Sequence, residues 1–323
     1  MRIVLFRIDK IGDLIVSSPV IAAIKAKHPS AQIMLVVAPY NAVAAKGLPG
    51  VDELVLYEKE REAVVLEKIR AFKPTHTIVM SPKDACYTLS RKSGANEQGW
   101  IIMEYRPWVR LLGALIIPKK NREMIPRTQR SLHHSEHIMN LAQRMGLAAQ
   151  GQFPYLIPRD KAAADKIKIM LKDKGITKPY IVVHLVDKWV EENWTAQDVK
   201  NLLFMLRDKL KVDIVASAGP ADKILSSALE KDILVLKGLS FGEWVALFDQ
   251  SRLVLTPDCA AVHIACALQK PLLALYQPSR FETAMTEYGP RLTDYRAHAL
   301  LEPKKINPFL FRDICELLSM NHF

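Results

Sequence analysis

The turn at residues 256–263 carries groups that could bind an anion. It joins an apolar run to a helical pattern, so it is predicted to connect a strand to a helix. A helix that starts directly after a strand presents free backbone N–H groups and the positive end of its dipole. The small residues Cys259, Ala260 and Ala261 keep its backbone accessible to a ligand. Asp258 can add a hydrogen-bond acceptor and His263 a donor. The spacing also fits an ordinary turn capped by Asp258, so both interpretations stand.

Asp13 occupies a similar turn near the start of the chain. An apolar run at residues 2–8 predicts a strand buried on both faces, and Gly12 permits a tight turn before a helical pattern. Asp13 then falls in the first helical turn, at the carboxyl end of the first strand, where open α/β sheets bind ligands. A carboxylate at this point is either a partner of the helix dipole or a general base.

Strands and helices alternate through both halves of the chain. Apolar runs predict strands at residues 2–8, 32–37, 53–57 and 75–80, and then at 180–184, 212–217, 233–236, 253–256 and 272–276. Helices are predicted at residues 14–27, 60–72 and 306–320, and capping boxes begin two more at Thr195 and Ser240. This alternation predicts parallel sheets covered by helices. Two prolines at residues 154–158 indicate a hinge, and hence two domains, residues 1–158 and 159–323.

Composition is consistent with two large cores and no membrane span. The 323 residues, 50% of them hydrophobic, suit two domains of about 150 residues each. No stretch approaches about 18 uninterrupted apolar residues, and the first strand lacks the pattern of a signal peptide. The cysteines have no paired or ligand-like spacing, which is typical of reduced thiols in a cytoplasmic protein: Cys86, Cys259, Cys266 and Cys315.

Positive charge is concentrated in the first half. Residues 1–158 hold 22 Lys and Arg against 13 Asp and Glu, and so carry most of the formal net charge of +11. The bases cluster at residues 83–130, with Trp100, Tyr105 and Trp108 among them. Such a segment binds phosphates, carboxylates or an anionic membrane surface, or is simply a solvated face.

Three other classes of function find little support. Nucleic-acid binding would explain the charge, but no helix-turn-helix, zinc or RNA-binding module is recognisable. No G-x-G-x-x-G follows the first strand, which argues against a nicotinamide dehydrogenase. No carboxylate or cysteine completes a metal set with His133, His134 and His137, so we expect no metal.

Two segments resemble the signature segments of the lipopolysaccharide heptosyltransferase family. They are R-I-D-K-I-G-D-L-I-V-S-S-P-V near the start and T-P-D-C-A-A-V-H-I-A-C-A-L-Q-K-P late in the chain. Residues 134–146, Val183-His184 and Asn193-Trp194 resemble intervening family stretches, so the resemblance covers nearly the whole chain in order. It implies an α/β protein with the GT-B fold, in which two Rossmann-like domains place their parallel sheets across a cleft and the C-terminal helix packs back on the first domain.

The resemblance also implies an activity. It is the inverting, metal-independent transfer of a heptosyl group from ADP-heptose to the inner core of lipopolysaccharide in a Gram-negative cytoplasm, with no cofactor beyond the donor substrate. Kdo carboxylates and lipid A phosphates make that acceptor anionic, which suits a basic first domain. The implied partners are therefore a nucleotide-sugar donor, an anionic lipid-linked glycan and the inner membrane surface, with no nucleic acid.

Site residues follow from the same resemblance. Asp13 matches the catalytic base, and the acceptor side is expected to include Lys10, Gly12, Lys119, Lys120 and Arg122. The turn for the ADP part of the donor is matched by Asp258, Cys259, Ala260, Ala261 and His263. Asp222 lies near the family's ribose-binding acid, and Leu239 and Ser240 fall where the family flanks adenine.

The chain departs from the family pattern at two places. Cys259-Ala260 stands where members commonly have Thr-Gly, and Glu192 aligns with the lysine that pairs with the diphosphate. A carboxylate there repels an anionic leaving group, and Lys188 is the expected substitute. Two alternatives follow, a related transferase that uses another nucleotide sugar, and a non-catalytic protein that binds a nucleotide or an anionic glycan.

Overall fold

The computed structural model describes residues 1–127, 131–190, 194–291 and 293–320. The chain forms two compact units, of which the first comprises Met1–Pro158 with Thr286–Gly289 and the second comprises Arg159–Met285 with Pro290–Phe323. The segment Thr286–Gly289 is a return of the chain to the first unit that the predicted domain limits did not include.

The first unit is built on a parallel sheet with the order β3-β2-β1-β4-β5-β6. Its strands are β1 Arg2–Arg7, β2 Gln32–Val37, β3 Glu53–Leu56, β4 His76–Val79, β5 Glu97–Met103 and β6 Arg122–Ile125. The central strand β1 is buried after its first residue, as predicted for a strand covered on both faces. Strands β5 and β6 were not predicted, because β5 opens with two polar residues and Gly99 and β6 has only four residues.

Seven helices are described around this sheet. They are α1 Ile11–Ser17, α2 Pro19–Lys27, α3 Pro39–Ala45, α4 Glu62–Ala71, α5 Asp84–Lys92, α6 Pro107–Ile116 and α7 His134–Arg144. The single helix predicted at residues 14–27 is in fact two, α1 and α2. Pro19 lacks the N–H that would continue the ladder, and the Ser18 hydroxyl donates to the Ile15 carbonyl at 2.6 Å.

The proposed hinge segment at residues 154–158 packs on the first unit. Tyr155 and Ile157 are buried there, and the backbone N–H of Leu156 donates to the Ser18 hydroxyl at 2.7 Å. The boundary between the two compact units falls at the end of this segment, between Pro158 and Arg159, which is the predicted domain limit, and the hinge itself stays a prediction.

The second unit repeats the topology, with the order β12-β11-β10-β7-β8-β9. Its strands are β7 Tyr180–Leu185, β8 Asp213–Ala218, β9 Leu234–Lys237, β10 Leu253–Pro257, β11 Leu272–Tyr276 and β12 Tyr295–Ala299. In each unit the strand order reverses beside the first strand, between β1 and β4 and between β7 and β10. Ligands of open α/β sheets bind at such reversals, outside the carboxyl ends of the strands.

The helices of the second unit include the two predicted from capping boxes. They are α8 Lys161–Asp173, α9 Ala196–Leu210, α10 Ile224–Leu229, α11 Phe241–Asp249, α12 Ala260–Ala267, α13 Phe281–Tyr288 and α14 Pro303–Met320. Thr195 and Ser240 cap α9 and α11 as predicted. The terminal helix α14 packs on α9 and β11, within the core of the second unit. Among the described residues, no helix is long and apolar enough to cross a bilayer.

Candidate active site

A cavity of about 280 Å³ lies at the strand reversal of the first unit. Its walls come from the segments that follow β1 and β4, from the last residues of β5 and β6, and from α7 and α13. The lining residues that bear on chemistry are Arg7, Asp9, Lys10, Asp13, Lys83, Tyr105, His134, His137, Glu287 and Tyr288. The cavity therefore combines carboxylates and bases at the position where this topology binds ligands.

Asp13 lies in the first turn of α1, as predicted, and lines this cavity. Its Oδ1 is 3.3 Å from Nη2 of Arg7, and its backbone carbonyl accepts from Nε of Arg7 at 3.1 Å and from the Ser17 hydroxyl at 2.7 Å. The side chain is 20% exposed. The carboxylate is thus held in one orientation and still open to a ligand.

Arg7 is a buried cation that the sequence analysis missed. Its side chain is 1% exposed, and its guanidinium donates to the Met80 carbonyl and lies 3.1 Å from Asp9 Oδ1 as well as contacting Asp13. A buried charge is tolerated only with such partners. Arg7 was counted within an apolar strand, although a charged residue at the end of that strand could have identified it.

Asp9 is the second carboxylate on Arg7 and was also missed. Burial raises the pKa of Asp9 above its ordinary value and the nearby charge of Asp13 adds to that rise, while Arg7 opposes it. The guanidinium of Arg7 therefore interacts with two carboxylates, those of Asp9 and Asp13.

The opposite wall of the cavity presents aromatic and imidazole groups. The rings of His134 and Tyr288 stack with centroids 5.3 Å apart. Nδ1 of His137 lies 2.7 Å from Oε1 of Glu123, whose other oxygen lies 2.6 Å from Nη2 of Arg144. Burial would raise the pKa of Glu123, but the hydrogen bonds from His137 and Arg144 lower it overall.

Lys119, Lys120 and Arg122 do not lie at the cavity. The cavity wall includes Met103 and Ile125, the paired last residues of β5 and β6. Lys119 and Lys120 precede β6 instead, and Nζ of Lys120 is 3.9 Å from the Glu97 carboxylate at the start of β5. Arg122 begins β6. A run of charges does not reveal which edge of the sheet it occupies, and the expected role of these three residues on the acceptor side stays a prediction.

Lys10 and Lys83 are the lysines that line the cavity. Lys10 is the N-cap of α1 and Gly12 lies buried in that helix, so both remain beside Asp13 as predicted. Lys83 follows β4 and belongs to the basic segment at residues 83–130. Arg130, within the same segment, lies outside the described residues.

The predicted donor residues gather at the carboxyl edge of the second sheet. Lys188 follows β7, Asp222 follows β8, Leu239 and Ser240 follow β9, and residues 258–263 follow β10. These four strands are neighbours, so parallel pairing brings the segments to one edge. Oδ1 of Asp222 accepts from the backbone N–H of Asp187 at 3.2 Å, which ties two of these loops together.

Lys188 reaches the turn after β10. Its Nζ donates to the backbone carbonyl of Asp258 at 2.6 Å and lies 4.0 Å from Oδ2 of the same residue. Both residues border a small cavity together with Tyr276 and Arg280. A cation therefore stands at the predicted diphosphate turn. Glu192, the residue aligned with the family lysine, lies outside the described residues.

Helix α12 begins earlier than predicted, at Ala260 instead of residue 264. Its N-cap is Cys259, whose side chain makes no capping hydrogen bond and contacts the Thr256 hydroxyl at 3.4 Å. The alternative with Asp258 as the cap was thus wrong. Burial lowers the pKa of His263 to about 4, against the opposing charge of Asp258. His263 is therefore a neutral imidazole within the helix.

One of the predicted donor-side residues, Ser240, also has a structural role. The Ser240 hydroxyl accepts from the Glu243 N–H at 3.3 Å as the N-cap of α11. Leu239, just before it, is partly exposed.

Within residues 1–127, 131–190, 194–291 and 293–320, no three His, Cys, Asp or Glu side chains are grouped so as to hold a metal ion.

Comparison with known proteins identifies the family. Residues 113–305 match the sequence profile of glycosyltransferase family 9 (heptosyltransferase). The chain belongs to this family. This glycosyltransferase is also similar to a Haemophilus influenzae protein named as a candidate glycosyltransferase, with 23% identity over 86% of this chain and 83% of the relative.

Solved structures share the fold of this glycosyltransferase. A family 9 glycosyltransferase from Veillonella parvula superimposes with a TM-score of 0.80 at 16% identity, covering 99% of this chain and 97% of the other. ADP-heptose lipopolysaccharide heptosyltransferase II of Escherichia coli gives 0.75 at 16% identity, covering 99% of both chains. Escherichia coli heptosyltransferase WaaC with ADP superimposes with a TM-score of 0.70 at 17% identity, covering 99% of this chain and 100% of the other. The predicted GT-B fold is confirmed.

Proposed function

We propose that this glycosyltransferase moves a heptosyl group from ADP-heptose to the anionic inner core of lipopolysaccharide, with inversion and without a metal. The observation that carries the proposal is Asp13, a carboxylate oriented by buried Arg7 and open to a cavity at the strand reversal. The structural relatives named as heptosyltransferases support the choice of heptose and of ADP.

Asp13 acts as the general base in this mechanism. It takes the proton from an acceptor hydroxyl while that oxygen bonds to the anomeric carbon of the donor. The bond from that carbon to the diphosphate breaks on the opposite side, and ADP leaves with the electron pair. Arg7, which also contacts Asp9, fixes the orientation of the Asp13 carboxylate, so that the base faces the cavity where the acceptor hydroxyl would lie.

The second unit stabilises the departing diphosphate. The start of α12 directs backbone N–H groups and the positive end of its dipole outward, and Cys259 and Ala260 leave the backbone accessible. Lys188 uses one of its three donors on Asp258, so further N–H donors remain for a phosphate oxygen. Asp222, Leu239 and Ser240, at the ends of β8 and β9, are proposed for the ribose and the adenine.

The first unit binds the acceptor. Lys10 and Lys83, with His134 and His137, give the cavity wall a set of donors for carboxylates and phosphates. Because the proposed acceptor is lipid-linked, peripheral contact with the cytoplasmic face of the inner membrane belongs to the same proposal.

A related transferase that uses another nucleotide sugar is the second candidate. It is favoured by Glu192, which stands where the family has a lysine, and by the Cys259-Ala260 departure. A non-catalytic protein that binds nucleotide is the third. It would lack transfer but keep the nucleotide site.

A nucleotide panel tests the proposal. A ligand that binds only the native state raises the melting temperature, so ADP should stabilise the protein more than UDP or GDP at equal concentration. Preference for UDP or GDP would favour the second candidate. Release of ADP from ADP-heptose that depends on an inner-core acceptor then separates a transferase from a binding protein, which would bind ADP without releasing it.

A further inference from the structure

Helix α6 turns large apolar side chains toward solvent. Trp108 is 80% exposed, Leu115 is 75% exposed and Leu111 is 54% exposed. Their spacing of three and four residues places them on one face of the helix, and the exposed Leu112 adjoins them. Apolar residues scattered singly over a surface need no explanation, but a continuous helical face of Trp and Leu marks an interaction surface.

The inner face of α6 is made of smaller groups. Gly113 is the buried residue of the helix, and a Cβ added there would lie 2.8 Å from Cδ1 of Ile102 in β5. Val109, one turn earlier, packs on the core of the first unit. The helix therefore approaches the sheet closely at Gly113, while Trp108 faces solvent. This arrangement is the reverse of an ordinary surface helix, which buries its large apolar side chains.

The surroundings of this face are basic. Residues 104–127 contain six Lys and Arg against two Glu. Arg106 is paired with Asp84 at 2.6 Å, whereas Lys120 has Glu97 only at 3.9 Å. Exposed Lys119 and Lys120 follow the end of the helix after two intervening residues. An exposed apolar face that is followed in the chain by exposed lysines is complementary to a bilayer of anionic lipids, whose phosphates lie just above the acyl chains.

We propose that α6 lies in the plane of an anionic phospholipid bilayer, with Trp108, Leu111 and Leu115 among the acyl chains and Lys119 and Lys120 on the phosphates. Its ten residues suit an interfacial helix and are too few to span a bilayer. Tyr105, which lines the cavity, lies two residues before α6. Membrane binding by α6 is inferred independently of the proposed function. Only the further step, that this surface brings the cavity to a lipid-linked acceptor, rests on the proposed function.

Vesicle binding tests this surface without any substrate. The protein is mixed with phosphatidylcholine vesicles that contain or lack about a third phosphatidylglycerol, and binding is followed by sedimentation and by tryptophan emission. Trp108 is the strongly exposed member of the five tryptophans. Its emission should shift to the blue on anionic vesicles and be quenched by lipids brominated on the acyl chain, and Trp108→Phe should remove both signals.

Matched variants identify the element responsible. Leu111→Gln with Leu115→Gln should weaken binding to anionic vesicles at least tenfold, because it removes apolar area without touching the core. Ile169→Gln with Ile224→Gln changes two exposed apolar residues of other helices, at 62% and 58% exposure, and should leave binding unchanged. Lys119→Gln with Lys120→Gln should weaken binding at low salt and lose this effect at high salt.

Three outcomes would overturn the inference. The first is that wild-type protein fails to bind anionic vesicles, and the second is that the leucine and control pairs bind them alike. The third is that wild-type protein self-associates without binding vesicles and the leucine pair makes it monomeric, because α6 would then be a contact between two copies. Since the vesicles carry no acceptor and no donor is added, a failure here leaves the proposed transfer untouched. Likewise, absence of transfer does not alter the vesicle result.

Discussion

At the scale of single residues, the carboxylate of Asp13 is the group on which the proposed chemistry depends. Asp13→Asn keeps the size of the side chain and removes the base, so we expect transfer to fall by about a hundredfold to ten-thousandfold. Fold and ADP binding should be kept, because the proposed nucleotide turn belongs to the second unit. Steady-state transfer assays and calorimetry with ADP measure the two effects.

Asp165→Asn is the control for this change, since Asp165 is an exposed carboxylate with only a lysine at 3.9 Å. Its transfer rate should equal that of the parent. If Asp13→Asn kept the parental rate and lost about 1 kcal/mol of stability instead, Asp13 would be a partner of the helix dipole and not a base.

The same residues show how far the sequence could lead. The place of Asp13 in the first helical turn after a strand was predicted from the local pattern, and its proposed role as a base came from the family resemblance. The roles of Arg7 and Asp9 were not predicted. They depend on the hydrogen bond from Arg7 to the Met80 carbonyl of a neighbouring segment and on the burial of Arg7 beside two carboxylates. Local patterns predict where a strand ends, whereas the burial of Arg7 and its hydrogen bond to Met80 require the folded sheet.

At the scale of elements, Lys188 and the turn before α12 form the proposed diphosphate site. Lys188→Ala should weaken ADP binding by about 1.5 to 3 kcal/mol, the range for a hydrogen bond to a charged group. Glu192→Lys should be tolerated or should strengthen binding. Isothermal calorimetry measures both, with Lys161→Ala, an exposed lysine of α8, as the control. Normal ADP binding by Lys188→Ala, with weaker binding by Glu192→Lys, would remove this loop from the diphosphate.

The two groups of lysines in the first unit provide a second test at this scale. Lys10→Met with Lys83→Met should raise the KM for a delipidated, water-soluble acceptor and leave the donor KM nearly unchanged, because both lysines line the acceptor cavity. Lys119→Gln with Lys120→Gln removes equal charge at the opposite edge of the sheet and should leave both KM values near those of the parent. A larger effect from the second pair would move the acceptor site to that edge.

Prediction of elements from sequence succeeded where the pattern was continuous. Strands β2 and β11 were predicted with the observed bounds, and both capping boxes formed. Strands β5, β6 and β12 were not predicted, since β5 and β6 begin with polar residues and every residue of β12 is only partly buried. Their place in the sheets depends on neighbours that are distant in sequence.

At the scale of the whole molecule, two buried histidines couple stability to pH. Burial lowers the pKa of His184 to about 4, slightly offset by Ser217, and His263 has a similar value. Between pH 6.5 and about 4 the unfolded chain binds protons that the folded chain does not, so the free energy of unfolding falls as pH falls. Each group contributes about 1.4 kcal/mol per pH unit across this window.

His184→Gln should reduce this dependence. Chemical unfolding of parent and variant at pH 7.5 and 5.0 should show that the parent loses about 2 kcal/mol more than the variant. The glutamine can keep a hydrogen bond to the Ser217 hydroxyl, which lies 3.0 Å from Nδ1 in the parent. Equal losses in the two proteins would mean that His184 is already protonated in the fold or remains neutral in both states.

The hydrogen bond from Leu156 to Ser18 has a mechanical consequence. Leu156 is fastened to the residue that ends α1, the helix that carries Asp13, and the next helix is capped by Asp160. Arg159, which lies between these anchors, is itself bound to Asp249 at 2.8 Å. The chain is therefore anchored within each unit on both sides of the boundary between Pro158 and Arg159. Removing the Ser18 hydroxyl would release only the anchor on the side of the first unit.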